Sequence, residues 1–240
     1  MLRLAVCGCN GRMGKALVNA IQENAHVVLS GVTIAPGSTL ADQSLADIAT
    51  DDLEKIIDKV DVVIDFTTPQ ASLKHVEICH RYGKKIVIGT TGITSDEKKI
   101  IEKASKDIAI VLAPNTGIGI NICLQLLPQV AKMIGLDADI TIIEAHHRNK
   151  VDAPSGTALK MGEEIAQGLP PHHKDIAYSS IRAGDIVGEH TALFAIQGER
   201  IEITHRATDR SIFAHGAIRA AQWLASKTSG LYGMREVLAL

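Results

Sequence analysis

Apolar runs alternate with helically spaced segments along the first half of the chain. Five short runs that are almost entirely apolar predict buried strands, at 2–6, 26–34, 61–66, 85–89 and 108–114. Segments with helical spacing lie between them, at 15–23, 69–83 and 95–105. This alternation is typical of an α/β fold in which a doubly wound parallel sheet is covered by helices on both faces.

Capping residues mark the starts of two of these helices. Thr68 followed by Pro69 predicts an N-cap and a proline at the first helical position, and Gly83 predicts the end of that helix. Ser95, followed by two acids, predicts the N-cap of the next helix.

The pattern changes after residue 116. Helices are predicted at 119–134 and 157–167, but strand-like segments predominate from there to residue 211, and the Gln197-Gly198-Glu199 step predicts a hairpin turn. We therefore expect a second, α+β domain at 117–211, built on a mixed or antiparallel sheet. A final helical segment, 212–240, is expected to pack back onto a first domain formed by 1–116.

The composition excludes several classes of protein. With 46% hydrophobic residues, a net charge of -2 and only 3% aromatic residues, the chain has enough apolar residues for a core and no charge pattern that attracts nucleic acid or membranes. No run of 18 apolar residues predicts a membrane span, and the glycine-broken start does not match a signal peptide. The four cysteines form no Cys-x-x-Cys pair, so we expect reduced thiols in a cytoplasmic protein.

A glycine-rich turn follows the first predicted strand. Gly8, Gly11 and Gly14 lie in a G-x-x-G-x-x-G pattern directly before a helix, where free amide groups and the helix dipole suit a pyrophosphate. The position after the first strand of a βαβ unit favours a dinucleotide site of the Rossmann type, although a purely structural turn is the alternative.

The segment that should select the cofactor carries no charge. No Asp or Glu occurs between Glu23 and Asp42, and no Arg or Lys occurs between Lys15 and Lys55. An acid at the end of the second strand would bind the ribose hydroxyls, and a basic residue would bind a 2′-phosphate. The sequence therefore leaves the choice between NADH and NADPH open.

Two further loops, GTTG at 89–92 and APNTGIG at 113–119, follow predicted strands. In an open α/β sheet the carboxyl ends of the strands border the ligand crevice. Each loop alone could be an ordinary structural turn. Together with the glycine-rich turn, however, they make three loops of small residues at one edge of the sheet, which favours a binding site.

A basic loop, EAHHRNKVDAPSGTAL at 144–159, is the second candidate site. It contains His146, His147, Arg148 and Lys150 before a helix start at Ser155-Gly156-Thr157. Cations beside a helix N-terminus suit a small substrate with carboxylates and can deliver a proton. A solvated loop with one packed histidine is the alternative. Adjacent histidines without a cysteine pair do not favour a metal, and no G-x-S-x-G elbow predicts a serine hydrolase.

Together, GCNGRMG, GTTG, APNTGIGIN and above all EAHHRNKVDAPSGTAL closely resemble dihydrodipicolinate reductases, nearly from end to end. The resemblance implies reduction of 4-hydroxy-tetrahydrodipicolinate with NADH and/or NADPH in lysine and diaminopimelate biosynthesis, in a cytoplasmic homotetramer. It implies His146 as proton donor or acceptor, Lys150 as proton donor, and substrate carboxylates held by His147, Gly156 and Thr157. The implied cofactor-binding residues are Gly8, Cys9, Asn10, Gly11, Arg12, Met13, Gly89, Thr90, Thr91, Ala113, Pro114, Asn115 and Thr116.

The sequence departs from the family in two places. Members often have an acid after the second strand, where this chain has Ile34-Ala35, and some members have a histidine where this chain has Asn149. The role of Arg148 is open. Two other functions compete with the reductase: another small Rossmann oxidoreductase, such as an amino-acid dehydrogenase, and a non-catalytic dinucleotide sensor. A mono-acid substrate would need fewer cations than the basic loop offers, and a sensor would not need Lys150.

Overall fold

The computed structural model describes residues 1–172 and 175–240. The chain divides into two compact units, unit 1 formed by Met1–Gly117 with Ser211–Ala239, and unit 2 formed by Ile118–Arg210 with Leu240. The two prolines of GLPPHHKD, residues 168–175, predict an exposed loop. His172 is exposed, whereas His173 and Lys174 lie outside the described residues.

The elements follow one another in two series. The first comprises β1 Leu2–Cys7, α1 Arg12–Gln22, β2 Val27–Thr33, β3 Ala49–Thr50, β4 Val62–Asp65, α2 Pro69–Arg81, β5 Lys85–Ile88, α3 Ser95–Ala104 and β6 Ala109–Leu112. The second comprises α4 Ile118–Ile134, β7 Asp139–His146, α5 Gly156–Gly168, β8 Ala177–Arg182, β9 Gly188–Ile196, β10 Glu199–Ala207, α6 Ser211–Leu224, β11 Gly230–Tyr232 and α7 Met234–Leu238. Short 3-10 helices lie at Gln43–Ile48, Leu53–Lys55 and Ile57–Lys59.

Unit 1 is built on a parallel sheet with the strand order β11-β6-β5-β4-β1-β2-β3. Side chains of α1 and α6, such as Leu17 and Ile218, form one core with one face of the sheet. Side chains of α2 and α3, such as Val76 and Ile101, form a second core on the opposite face. The predicted doubly wound α/β sheet is confirmed.

Three local predictions for unit 1 were wrong or incomplete. The sheet has two more strands than predicted, β3 and β11. β11 pairs with β6 and interrupts the segment 212–240, which the sequence predicts to be wholly helical. The N-cap of α3 is Thr94 and not Ser95, because Thr94 and Glu97 bond each other reciprocally, with the Glu97 carboxylate accepting from the Thr94 amide at 2.7 Å. That capping box satisfies two amides at the helix start.

Unit 2 is built on a four-stranded mixed sheet with the order β10-β9-β7-β8. β7 runs parallel to β8 and antiparallel to β9, and β9 and β10 form the predicted hairpin, in which Gly198 has a φ of 87°. The core packs α4 and α5 against the sheet through side chains that include Leu127, Met161 and Phe194. The predicted mixed sheet is confirmed. Over the described residues, no helix is long and apolar enough to cross a lipid bilayer.

Candidate active site

The glycine turn after β1 is held tightly against β2. Gly8 has a φ of 74°, a conformation that L side chains rarely adopt, and its amide donates to Thr33 Oγ1 at 3.3 Å. The amide of Cys9 donates to the Thr33 carbonyl at 2.9 Å. A methyl group on Gly14 would lie 2.2 Å from the Gly8 carbonyl oxygen, so α1 rests directly on the turn.

The start of α1 is accessible. Gly11 is the N-cap residue and supplies no side-chain hydrogen bond, so the first amides of the helix are left without a side-chain cap. Gly11 and Arg12 are exposed and Met13 is half-buried, whereas the Cys9 side chain is buried. Uncapped amides at the positive end of a helix suit an anionic group such as a phosphate.

Asn10 ties the turn to the segment that follows β2. Its side-chain amide donates to the Thr39 carbonyl and accepts from the Ala41 amide, each at 2.9 Å. The side chain of this predicted cofactor residue therefore orders a loop of unit 1. That loop begins at Ile34, directly after β2. Residues 34–41 contain no charged side chain that could replace the acid often found at this point in the family.

The two other predicted cofactor segments also follow strands of the same parallel sheet. Gly89, Thr90 and Thr91 follow β5, and residues 113–116 follow β6. These two segments and the glycine turn after β1 therefore all lie at the carboxyl edge of the sheet. Gly89 leaves room for Phe66, since a methyl group at Gly89 would lie 2.1 Å from that ring.

The side chains of two of these residues have structural partners. The Thr90 hydroxyl accepts from the Thr67 amide at 3.1 Å and from the Ser72 hydroxyl at 2.7 Å. The Thr116 hydroxyl donates to the Phe213 carbonyl of α6 at 2.7 Å. Both threonines are buried, whereas Thr91 and Pro114 are exposed.

The basic loop of unit 2 begins at the carboxyl end of β7, where three strands bring polar side chains together. Glu144 and His146 are two residues apart on β7 and therefore lie on the same face of the sheet. The strand register sets Arg182 of β8 beside His146, and His190 of β9 beside Glu144. This is the face that α4 and α5 cover, so the polar cluster lies at one end of the apolar core of unit 2.

Glu144 is the centre of this cluster. Its side chain is 1% exposed and accepts two hydrogen bonds from the Arg182 guanidinium, at 2.7 and 2.8 Å. It also accepts from the Ser155 amide at 3.2 Å. Burial is the largest effect and raises the pKa of Glu144, but the hydrogen bonds from Arg182, Ser180 and His146 together outweigh it, and the pKa falls to about 2. The carboxyl group is therefore ionised at neutral pH.

His146 lies against this carboxylate. Its Nδ1 is 2.5 Å from Glu144 Oε2, and its ring meets the ring of His190 edge-to-face at a centroid distance of 5.0 Å. Burial lowers the pKa of His146 below its usual value, although the hydrogen bond to Glu144 opposes that effect. A methyl group on Gly188 would lie 3.1 Å from Nε2 of this ring, so the glycine leaves space beside it.

Ser155 and His190 connect the cluster to α5. The Ser155 hydroxyl accepts from the Ala158 amide at 3.2 Å, which makes Ser155 the N-cap of α5, and lies 2.9 Å from His190 Nε2. Burial and repulsion from His146 lower the pKa of His190 to about 3, so the ring is neutral at pH 7.

The remaining residues of the basic loop are more accessible. Lys150 Nζ forms an ion pair with Asp152 at 2.8 Å, and the Lys150 side chain is 22% exposed. His147 is half-buried, while Arg148 and Asn149 are exposed. At the start of α5, Gly156 is exposed and Thr157 is half-buried, and the Gly156 amide donates to the Asp152 carboxylate.

The structure thus brings the predicted substrate and proton-transfer residues together within unit 2, and the predicted cofactor residues together within unit 1. Sequence reasoning placed Ser155 at the helix start but missed three members of the unit 2 cluster. For Glu144 a signal was present, since residues i and i+2 of a strand share a face. Arg182 and His190 join the cluster through strand register, which no local pattern reveals. Among the described residues, no group of three or more His, Cys, Asp or Glu could hold a metal ion.

Two family models match the chain: dihydrodipicolinate reductase, N-terminus, over residues 2–116, and dihydrodipicolinate reductase, C-terminus, over residues 119–238. A 4-hydroxy-tetrahydrodipicolinate reductase of Pseudomonas fluorescens is 46% identical over 269 aligned positions, with 100% of both chains covered. The chain belongs to the dihydrodipicolinate reductase family.

Solved structures agree with membership of the dihydrodipicolinate reductase family. A dipicolinate-bound dihydrodipicolinate reductase from Paenisporosarcina sp. TG-14 has a TM-score of 0.82 and 26% identity, with 98% of each chain covered. A probable dehydrogenase from Thermotoga maritima shares the fold, with a TM-score of 0.67 and 10% identity over 98% of this chain and 92% of that one. The predicted family and oxidoreductase class are confirmed, and the N-terminal sheet is a Rossmann-type nucleotide-binding domain. The roles of individual residues stay predictions.

Proposed function

We propose that the chain reduces 4-hydroxy-tetrahydrodipicolinate to tetrahydrodipicolinate with NADH or NADPH. The observation that carries the proposal is the unit 2 cluster, in which a buried carboxylate binds His146 beside the N-terminus of α5 and the Lys150 loop. The family supports it, since the Pseudomonas fluorescens relative carries this name and the Paenisporosarcina relative binds dipicolinate.

Unit 1 is the proposed site of the dinucleotide. The open amides at the start of α1 suit its pyrophosphate, and the loops after β5 and β6 lie at the same sheet edge. Residues 34–41 supply neither a carboxylate for ribose hydroxyls nor a cation for a 2′-phosphate. We propose that both cofactors are accepted.

Unit 2 is the proposed site of the substrate. We propose that His147, Gly156 and Thr157 bind the ring carboxylates beside the N-terminus of α5, where Gly156 is exposed and the other two are half-buried. When bound, the nicotinamide supplies the hydride. Lys150, which forms an ion pair with Asp152, and His146 are the proposed groups that hold and deliver the proton. The homotetramer and the cytoplasmic location implied by the resemblance stay predictions.

Substitution of Lys150 tests the proposal. Lys150→Ala should lower kcat by about 10²-fold, because that is the scale of a lost general acid, while the Kd for NADH stays within about twofold of wild type. The oxidation of NADH and NADPH by the ring substrate gives kcat, and NADH fluorescence gives Kd.

Lys160→Ala is the matched control, since Lys160 lies on the surface of α5 and pairs with Glu163 and Glu164. It should keep wild-type turnover. A wild-type protein that oxidises neither dinucleotide would refute the proposed reaction, whereas unchanged kcat in Lys150→Ala would refute only the role of Lys150.

A further inference from the structure

The carboxylate of Glu144 determines where His146 carries its proton. A carboxylate held ionised by a guanidinium has no proton to give, so it accepts at both oxygens. The 2.5 Å bond to His146 Nδ1 therefore requires a proton on Nδ1 of the neutral ring. The lone pair is then on Nε2, which is bonded to no other group in the described part of the chain.

Space beside Nε2 is kept by a glycine. Gly188 stands on the strand next to β7, and a methyl group there would lie 3.1 Å from Nε2. Arg182 and Glu144 occupy the other side of the ring, so Nε2 is the atom of His146 that remains available for proton exchange.

The same carboxylate also holds the proposed anion site. Glu144 Oε1 accepts from the Ser155 amide, and Ser155 caps α5, the helix whose first residues Gly156 and Thr157 are proposed to bind the substrate carboxylates. One buried side chain therefore bonds both the candidate proton carrier and the helix start, and sets the distance between them.

We propose that Glu144, clamped by Arg182, is a positioning residue that fixes His146 with its proton on Nδ1 and leaves Nε2 to exchange the catalytic proton. This inference rests on the proposed reduction and deepens it. In the step, the Nε2–H bond of the protonated ring breaks and the proton bonds to the substrate atom that receives negative charge after hydride transfer. The Nδ1 proton stays on the ring, bonded to Glu144, throughout.

Four charged or titratable groups face His146 from the elements around it. They are Glu144 on its own strand, Arg182 on β8, His190 on β9 and Lys150 in the loop. Glu144 is the only one of the four that favours the protonated ring, since Arg182, Lys150 and a charged His190 would repel it. Removal of its charge should therefore make the ring harder to protonate.

The tautomer of the wild-type protein is the first test. In ¹⁵N-histidine NMR spectra recorded above the titration of His146, its signals should be those of a ring protonated on Nδ1, with assignment by comparison with His146→Gln. A ring protonated on Nε2 would overturn the inference, and this readout requires neither turnover nor a variant of Glu144.

Glu144→Gln is the second test. Its amide can donate to Nδ1, which moves the ring proton to Nε2, and kcat should fall by about 10²-fold while KM changes much less. The alkaline limb of the kcat/KM profile should move to lower pH, because the charge that favours the protonated ring is gone. Glu144→Asp keeps the charge and should restore the Nδ1 tautomer and part of the turnover.

Glu163→Gln, at an exposed position on α5, is the matched control and should keep the wild-type profile. A Glu144→Gln protein that is only less stable, with an unmoved alkaline limb and unchanged kcat, would overturn the inference. If the wild-type protein itself does not oxidise NADH or NADPH, the proposed function fails, and the NMR result still decides the positioning of His146.

Discussion

The buried residues at the end of β7 illustrate how a low-dielectric site assigns charges to individual groups. Glu144 is ionised because Arg182 binds it twice, while His190 is neutral because burial disfavours its charged form. Arg182 Nε is the one buried side-chain polar atom without a partner among the residues that the structure describes. A buried donor without a partner costs stability, which the two hydrogen bonds to Glu144 offset.

The neutral state of His190 predicts a loss of stability in mild acid. Its pKa is lowered to about 3 in the folded protein, so between its unfolded value of 6.5 and about 3 the unfolded chain binds one proton more than the folded chain. Stability from this residue is complete above pH 6.5 and is lost as the pH falls. From about pH 7.5 to about pH 5.5 the wild type should lose roughly 1 kcal/mol more unfolding free energy than His190→Gln.

Urea unfolding followed by far-UV circular dichroism measures this difference. His26→Gln is the matched control, because His26 is exposed, and its pH dependence should equal that of the wild type. Equal pH dependence in His190→Gln and wild type would contradict a neutral buried His190.

Single residues of the site were predictable only where the chemistry was local. The basic loop and the helix start at Ser155 follow from a contiguous stretch of sequence, and both lie together in unit 2. The Lys150–Asp152 ion pair was missed although the residues are two apart, because loop residues do not have a fixed side-chain direction. Arg182 and His190 depend on strand register, which long-range packing sets.

At the scale of an element, the contact between α1 and the glycine turn is the tightest part of the proposed dinucleotide site. Gly14→Ala would place a methyl group 2.2 Å from the Gly8 carbonyl oxygen, and backbone cannot move aside as a flexible side chain can. The variant should lose about 1–3 kcal/mol of stability, the usual cost of overpacking, and the Kd for NADH should rise at least about tenfold. Thermal unfolding and NADH fluorescence measure the two effects.

Asn19→Ala, on the exposed face of the same helix, is the control for changes in helix propensity. It should leave the Kd for NADH unchanged. A Gly14→Ala protein with wild-type NADH affinity would show that close packing of α1 on the turn is not needed for binding.

Elements with strong periodicity were predicted within a few residues, and short ones were not. The strands β1, β4, β5 and β6 are apolar on both faces, and that pattern is independent of their neighbours. β3 has two residues and β11 has three, so neither is long enough to produce a pattern. They are strands only because β2 and β6 offer a free edge. The N-cap of α3 was wrongly predicted because Thr94 and Ser95 are adjacent and both carry a hydroxyl group. Only the reciprocal hydrogen bonds between Thr94 and Glu97 determine which of the two is the cap.

For the whole molecule, the path of the chain through the two compact units leaves a change of pattern in the sequence. Apart from Leu240, unit 2 is one continuous stretch of sequence, Ile118–Arg210. In the sequence it lies between the two segments that form unit 1. The returning segment adds α6 to one core of unit 1 and β11 to the edge of its sheet. The sequence showed this return only as apolar helical spacing, without the edge strand.

The proposed division of labour predicts that each ligand protects a different unit. NADH near 100 times its Kd should slow amide exchange in residues 8–13, 89–91 and 113–116, all in unit 1. The stabilisation expected at that concentration is about 2.7 kcal/mol, which slows exchange by up to roughly 10²-fold at sites that bind the ligand. Pyridine-2,6-dicarboxylate, a planar dicarboxylate, should instead slow exchange across 146–157 in unit 2, because its carboxylates meet the helix start and the cationic loop.

Hydrogen-exchange mass spectrometry on the full chain measures both patterns, and pyridine-3-carboxylate, which has one carboxylate, is the matched control ligand. It should protect 146–157 far less, since a single carboxylate cannot engage both the helix start and the loop cations. Dicarboxylate protection confined to the glycine turn would reverse the assignment of the two sites. Equal protection by the monocarboxylate would refute recognition of two carboxylates, and with it the proposed joint role of His147, Lys150 and the N-terminus of α5.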